Sequence, residues 1–331
     1  MWSAFTTKAK TLTAAVAVTA ALGAAPALAA SWDMPTPYPD NNFHTMNIQQ
    51  FADDVAEATG GDLTINVHPA GSLIKHPEIK SSVRSGIVPI GEFLLSSASN
   101  DSPLYGVDSV PFLATDYEQS RKLWEASRPE IEALLKEQGM MPLFSVPWPP
   151  QGIYTKEPID EMSDLTGMKF RAYNPATERI AVLAGAVPTQ VEVPDLPQAF
   201  ATGRVDAMIT SPSTGANSKA WDYVNHYYDT KAWLPKNIVV VSEKAFRRLD
   251  ESTQQALMQA AAAAEERGWE MSQKETAEKT KMLSDNGMTV EDPSQDLLAG
   301  FGDIGATMAD EWAASAGEPG KKVLEAYRSS L

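Results

Sequence analysis

The chain has 331 residues, no cysteine and a formal net charge of −16, from 43 acidic against 27 basic residues. Without cysteine there are no thiol nucleophiles, zinc–thiolate sites, iron–sulfur clusters or disulfides, so a fold of this length must rest on core burial alone. The acidic balance disfavours nucleic acid and anionic membranes as partners, and an anionic ligand would need one local cation to outweigh the overall field.

In chain order, Lys8 and Lys10 precede an Ala-rich apolar stretch over residues 12–22, and Ala27-Leu28-Ala29 follows. That pattern predicts a cleavable signal peptide over residues 1–29 and a mature chain exported to the periplasm. A Pro- and Asx-rich segment then leads to a helix capped by Asp40 or Asn42 and ended by Gly60-Gly61. Alternating Leu63, Ile65 and Val67 form a strand, Ile79 and Val83 mark a short helix, and residues 90–95 form another strand. Strand–helix alternation of this kind predicts an α/β sheet. A helix over residues 117–136, interrupted at Pro129, precedes a strand at 141–146. The rigid Pro147-Trp148-Pro149-Pro150-Gln151-Gly152 segment is the candidate crossing between domains.

A second α/β block follows, with strands at 168–171, 187–191 and 205–210 and helices at 175–184 and 196–202. The last strand breaks into Ser211-Pro212-Ser213-Thr214-Gly215. Ile238-Val239-Val240-Val241 is wholly apolar and suits a sheet centre. Residues 242–285 contain no Pro and only Gly268, which predicts one long helix, or two in tandem, spanning two domains. A C-terminal helix with a break near Gly317 closes the chain. The expected fold class is α/β, with two domains, hinge strands and a long spanning helix. The division expected is 30–150 with 238–272 for one domain and 151–237 with 273–331 for the other.

No nucleophile, metal or phosphate-loop motif is present: His44, His68, His76 and His226 form no ligand pair, and GxSxG, GxGxxG and Walker patterns are missing. The sequence therefore predicts neither metal nor cofactor.

Several stretches carry a resemblance to a known family. They are Phe51-Ala52-Asp53-Asp54-Val55-Ala56-Glu57-Ala58-Thr59-Gly60-Gly61, Val107-Asp108-Ser109-Val110-Pro111-Phe112-Leu113, Leu165-Thr166-Gly167-Met168-Lys169-Phe170-Arg171 and Ala199-Phe200-Ala201-Thr202-Gly203-Arg204-Val205-Asp206-Ala207. Together they make the chain resemble the extracytoplasmic solute receptors of TRAP transporters, of the dicarboxylate-receptor type. The resemblance implies a monomeric, non-enzymatic receptor that closes on a small-molecule ligand and docks on TRAP membrane permease subunits. It also implies that Arg171 fixes a ligand carboxylate, for which the guanidinium fork is suited. Receptors for acidic sugars carry a second Arg where the nearest residue here is Gln151, and a family Asn corresponds here to Thr210 or Ser211. Both departures favour a small ligand of low charge.

Trp148, Tyr38, Phe43, Tyr173 and Trp233 lie on or near expected cleft loops as a shape filter or aromatic cage. Glu92 would bind an amine or neutralise Arg171, so a small amine or zwitterion stands as the alternative ligand. A secreted hydrolase or lyase using Glu92 and Asp108 as acid and base is the alternative from another class.

Overall fold

The computed structural model describes residues 1–2 and 29–331, so the expected signal peptide lies outside the described residues. The first lobe opens with β1 (Ala30–Pro35), α1 (Phe43–Ala58), β2 (Leu63–His68), α2 (His76–Ser85) and β3 (Ile90–Leu94). Asn42 is the cap of α1, its side chain accepting the His44 N–H at 2.9 Å. Next come α3 (Tyr117–Glu137) and β4 (Met140–Pro147). The helix is not interrupted at Pro129, where the sequence led one to expect a break, but runs through it. Pro129 and Glu125, whose carbonyl loses its partner, are both exposed, while Leu123, Trp124, Ile131 and Leu135 pin both halves to the core.

The second lobe holds β5 (Gly152–Thr155), β6 (Lys169–Ala172), α4 (Pro175–Leu183), β7 (Val187–Gln190), α5 (Leu196–Ala201) and β8 (Ala207–Thr210). The strand breaks at Ser211 as expected, and a short helix follows. Ser211 caps α6 (Pro212–Asn217), accepting the Thr214 N–H at 3.1 Å, and Pro212 takes the first helical position, where its missing N–H costs nothing. The strand β9 (His226–Tyr228) follows, a three-residue element with no sequence signal.

The chain then returns through β10 (Lys236–Ser242) and α7 (Glu243–Phe246) to α8 (Glu251–Asp285), β11 (Thr289–Glu291) and α9 (Gln295–Ser330). β10 is the centre of the antiparallel sheet β3-β10-β4, beside the parallel pair β1-β2. Its wholly apolar run reflects two buried faces: Val239 and Val241 enter one core, Ile238 and Val240 the other. The second sheet has the order β11-β9-β5-β8-β6-β7. Ala207 and Ile209 of β8 face one of its cores and Met208 the other.

The 35 residues of α8 reach about 52 Å. Leu257, Ala260, Ala261 and Ala264 pack into the first-lobe core, and Leu283 packs into the second. Gly268 marks the closest approach: a Cβ there would lie 2.4 Å from Val146 Cγ2 of β4. The helix α9 also belongs to both lobes. Leu297, Phe301, Ile304 and Met308 pack into the second, whereas Trp312, Ala316, Val323 and Tyr327 pack with Leu104, Val107 and Leu123 of the first. The left-handed φ of 58° at Gly317 kinks the helix there, at the break expected from the sequence. Among the described residues no helix is long and apolar enough to cross a membrane.

Candidate functional site

Two chain crossings run side by side beneath a small chamber. Trp148 N–H donates to Pro235 O at 2.8 Å, Gln151 N–H to Trp233 O at 3.0 Å, and Ala232 N–H to Gln151 O at 3.0 Å. This ladder fixes Trp148 and Gln151 on the chamber wall. Tyr38, from the β1–α1 connection, completes that side. The Tyr38 and Trp148 rings meet edge to face, 4.9 Å apart at 78°.

Arg171 enters from β6, where it pairs with Thr189 of β7 and Met208 of β8. It is 2% exposed, its Nε donates to Val191 O at 2.9 Å, and its guanidinium lies 4.7 Å from the Tyr173 ring centroid. Among the described residues no carboxylate lies within salt-bridge distance, and its terminal nitrogens make no hydrogen bond. Burial pulls its pKa down, yet a guanidinium stays charged at any physiological pH. A buried cation without an anion is costly unless a ligand supplies one.

Around Arg171 the polar groups are fixed. Tyr173 hydroxyl donates to Gln151 Oε1 at 2.9 Å, and Gln151 Nε2 donates to Pro149 O at 2.8 Å. Ser211 Oγ is committed to its cap, while the Thr210 hydroxyl has no partner among the described residues. On the opposite wall, His76 Nε2 accepts Leu94 N–H at 3.1 Å, which leaves the proton on Nδ1 to donate to Glu192 at 3.0 Å. Burial pushes the Glu192 carboxyl up, but the His76 N–H and the fields of His76 and Arg171 outweigh it and hold it below its ordinary value. His76, Tyr173 and Glu192 form the neck between this chamber and a wider outer cleft lined by Lys80, Arg84, Asn100, Asp101 and Glu178. Above the neck, Asn174 Nδ2 donates to Ser96 Oγ at 2.8 Å.

Seven of the expected residues therefore share one chamber: Arg171, Gln151, Trp148, Tyr173, Thr210, Ser211 and Tyr38. Three stand behind its wall. Phe43 packs edge-on against Trp148 at 5.5 Å, Trp233 is fully buried against Phe301, and Glu92 lies on β3 beside Asn237. Glu92 thus does not line this chamber. Asp108 is also elsewhere, accepting Lys236 N–H at 2.9 Å with Lys236 Nζ at 3.8 Å, so the expected acid pair shares no cleft. Sequence reasoning missed His76, Glu192, Leu94, Val193, Thr214 and Pro235. Only Thr214 had a signal, the Ser-Pro-x-Thr helix start that fixes its direction.

A small, aromatic-walled chamber with a buried cation that no carboxylate pairs with directly, in a two-lobed α/β frame crossed by long helices, defines a solute-binding receptor. The chain belongs to the bacterial extracellular solute-binding protein family 7, DctP, whose model matches residues 36–315. It is similar to the DctP7 receptor of Bordetella pertussis, an extracytoplasmic solute receptor binding pyroglutamic acid. The two are 48% identical with a TM-score of 0.90, over 91% of this chain and 100% of that one. The DctP6 receptor of the same organism, also binding pyroglutamic acid, is 46% identical with the same TM-score and coverage. A marine metagenome TRAP solute-binding protein in complex with co-purified pyroglutamate is 40% identical. Its TM-score is 0.89, over 91% of this chain and 99% of that one.

Proposed function

We propose that this chain is the periplasmic receptor of a TRAP transporter, that it binds pyroglutamate in the cleft between its lobes, and that it delivers the ligand to the membrane permease without chemistry. The observation that carries the reading is Arg171, a buried guanidinium with no carboxylate within salt-bridge distance among the described residues, facing a small aromatic-walled chamber. Pyroglutamate is a flat five-membered lactam with one carboxylate, one ring N–H and one ring carbonyl. Its carboxylate would take both terminal nitrogens of Arg171, and its ring would pack on the faces of Trp148, Tyr38 and Tyr173. Glu192 offers an acceptor for the lactam N–H, and the Thr210 hydroxyl offers a donor for its carbonyl. The pyroglutamate bound by three relatives of 40–48% identity supports the same reading. A free amine is less well served, because it would bring a second positive charge into the chamber beside Arg171, and Glu92 stands off the wall.

The division into lobes proposed here joins residues 30–150 and 238–272, and joins 151–237 and 273–311. The C-terminal 312–331 segment returns to the first lobe, following the packing of α9. The test is calorimetry of the mature, monomeric protein with pyroglutamate, glutamate, proline and glucuronate. Pyroglutamate should bind at least about a hundredfold more tightly than the others, because each rival leaves a buried polar group unmatched or brings polar groups for which the chamber has no partner. Equal binding of glutamate or glucuronate would overturn the assignment.

A further inference from the structure

The sequence offers Glu92 as a ligand contact, but the structure puts it one layer behind. On β3 it lies across from Val239 of β10, 1% exposed. One carboxylate oxygen accepts the Thr36 hydroxyl, and the other accepts Asn237 Nδ2 at 2.7 Å. Asn237 then spends its only acceptor atom on the chamber wall: Oδ1 takes Trp148 Nε1–H at 2.9 Å and the Tyr38 hydroxyl at 3.1 Å. A side-chain amide has one accepting end and one donating end. The carboxylate claims the donating end, so the accepting end must face Trp148 and Tyr38. With the amide turned over, its NH2 would meet the indole N–H donor to donor in a dry interior.

We infer that Glu92 is a positioning residue for ligand binding: through the Asn237 amide it holds the Trp148 N–H and the Tyr38 hydroxyl turned away from the chamber. The ligand then meets only ring surface from these two side chains, and is read by Arg171, Glu192 and Thr210 alone. The titratable groups facing the pair are His44 from α1, whose Nδ1 lies 3.5 Å from Glu92, and Tyr38 from the β1–α1 connection. Burial holds His44 well below its ordinary pKa and Tyr38 well above, so neither titrates between about pH 7 and 8.5. From β4, Phe144 and Val146 face the pair, and neither titrates.

The inference rests on the pyroglutamate reading only for its affinity probe. In Asn237→Asp a second carboxylate faces Glu92 at hydrogen-bond distance, where the two must share a proton to coexist. Pyroglutamate affinity should fall by at least about tenfold between pH 7 and 8.5. Adding Glu92→Gln reverses donor and acceptor: the new amide at 92 donates to the new carboxylate at 237, which still accepts Trp148 and Tyr38. The double variant should recover wild-type affinity and lose the pH dependence. The second readout needs no ligand: the Trp148 indole N–H resonance of 15N-labelled protein, assigned with Trp148→Phe. It should sit at the wild-type position in the double variant and move in Asn237→Asp at pH 8.5. If wild-type protein binds no pyroglutamate, the ligand reading fails while this resonance still decides the inference. A wild-type resonance in Asn237→Asp at pH 8.5 overturns it, as does a shifted one in a folded double variant. Should Asn237→Asp not fold, a folded double variant with the wild-type resonance supports the inference, and failure of both to fold overturns it.

Discussion

At the scale of single residues, the site is defined by a buried cation that no carboxylate of the described residues pairs with directly. That cation is Arg171. Its burial without a counter-ion works against the free protein and is repaid only when a carboxylate arrives. Arg171→Met should therefore lose pyroglutamate binding by at least about a hundredfold while the ligand-free protein melts at or above the wild-type temperature. A lower ligand-free melting temperature would mark Arg171 as a structural residue instead. Glu92 gives a second prediction, in stability rather than affinity. Burial pushes its pKa from 4.5 up to about 7, against the Thr36 and Asn237 hydrogen bonds, with neutral His44 beside it. A carboxyl raised on folding binds its proton more tightly in the folded state. Its contribution is thus complete below about pH 4.5 and declines as pH rises to 7, by on the order of 3 kcal/mol. Urea melts across pH 4.5 to 8 should show that decline in wild type, and Glu92→Gln should flatten it. Equal slopes in the two proteins would refute the shift.

At the scale of elements, opposing local and tertiary demands meet at Gly268 in α8. Helix propensity alone favours Gly268→Ala by about 1 kcal/mol. The new Cβ, however, would stand 2.4 Å from Val146 Cγ2 and 2.8 Å from Asn47 Nδ2. Asn47 cannot yield freely, because its Nδ2 donates to Ala264 O at 2.9 Å and its Oδ1 accepts from Arg267 at 2.7 Å. Gly268→Ala should therefore destabilise by roughly 1–3 kcal/mol. A chemical denaturation midpoint equal to or above wild type would show that α8 stands off from β4. This contrast also explains what the sequence made legible. The β10 run, the length of α8 and the kink at Gly317 were readable, since period and composition report burial directly. Pro129 was misread, since its effect turns on where the helix face around it points. Arg171 was legible through its resemblance. The His76–Glu192 pair was not, because residues 116 apart meet only once two lobes have packed.

At the scale of the whole molecule, hydrogen bonds between the lobes run across the mouth of the chamber. His76–Glu192 and Asn174–Ser96 join the two sides at the neck, with Arg171 sealed behind them. Shutting an empty chamber strips water from a guanidinium that then has no anion, a cost set against those few bonds. The proposed ligand removes that cost because it binds the shut state better, which is the only way a ligand shifts such a balance. Small-angle scattering of four samples tests this. Wild-type protein without ligand should have the largest radius of gyration, and saturating pyroglutamate should reduce it. Arg171→Met without ligand should be more compact than ligand-free wild type, since the buried cation is no longer there to dehydrate. His76→Ala should move the liganded protein the other way, weakening binding chiefly through faster release as the neck loses its bridge. If all these samples scatter alike, the lobes form one rigid body, and Arg171 then binds in a preformed pocket without any closing motion.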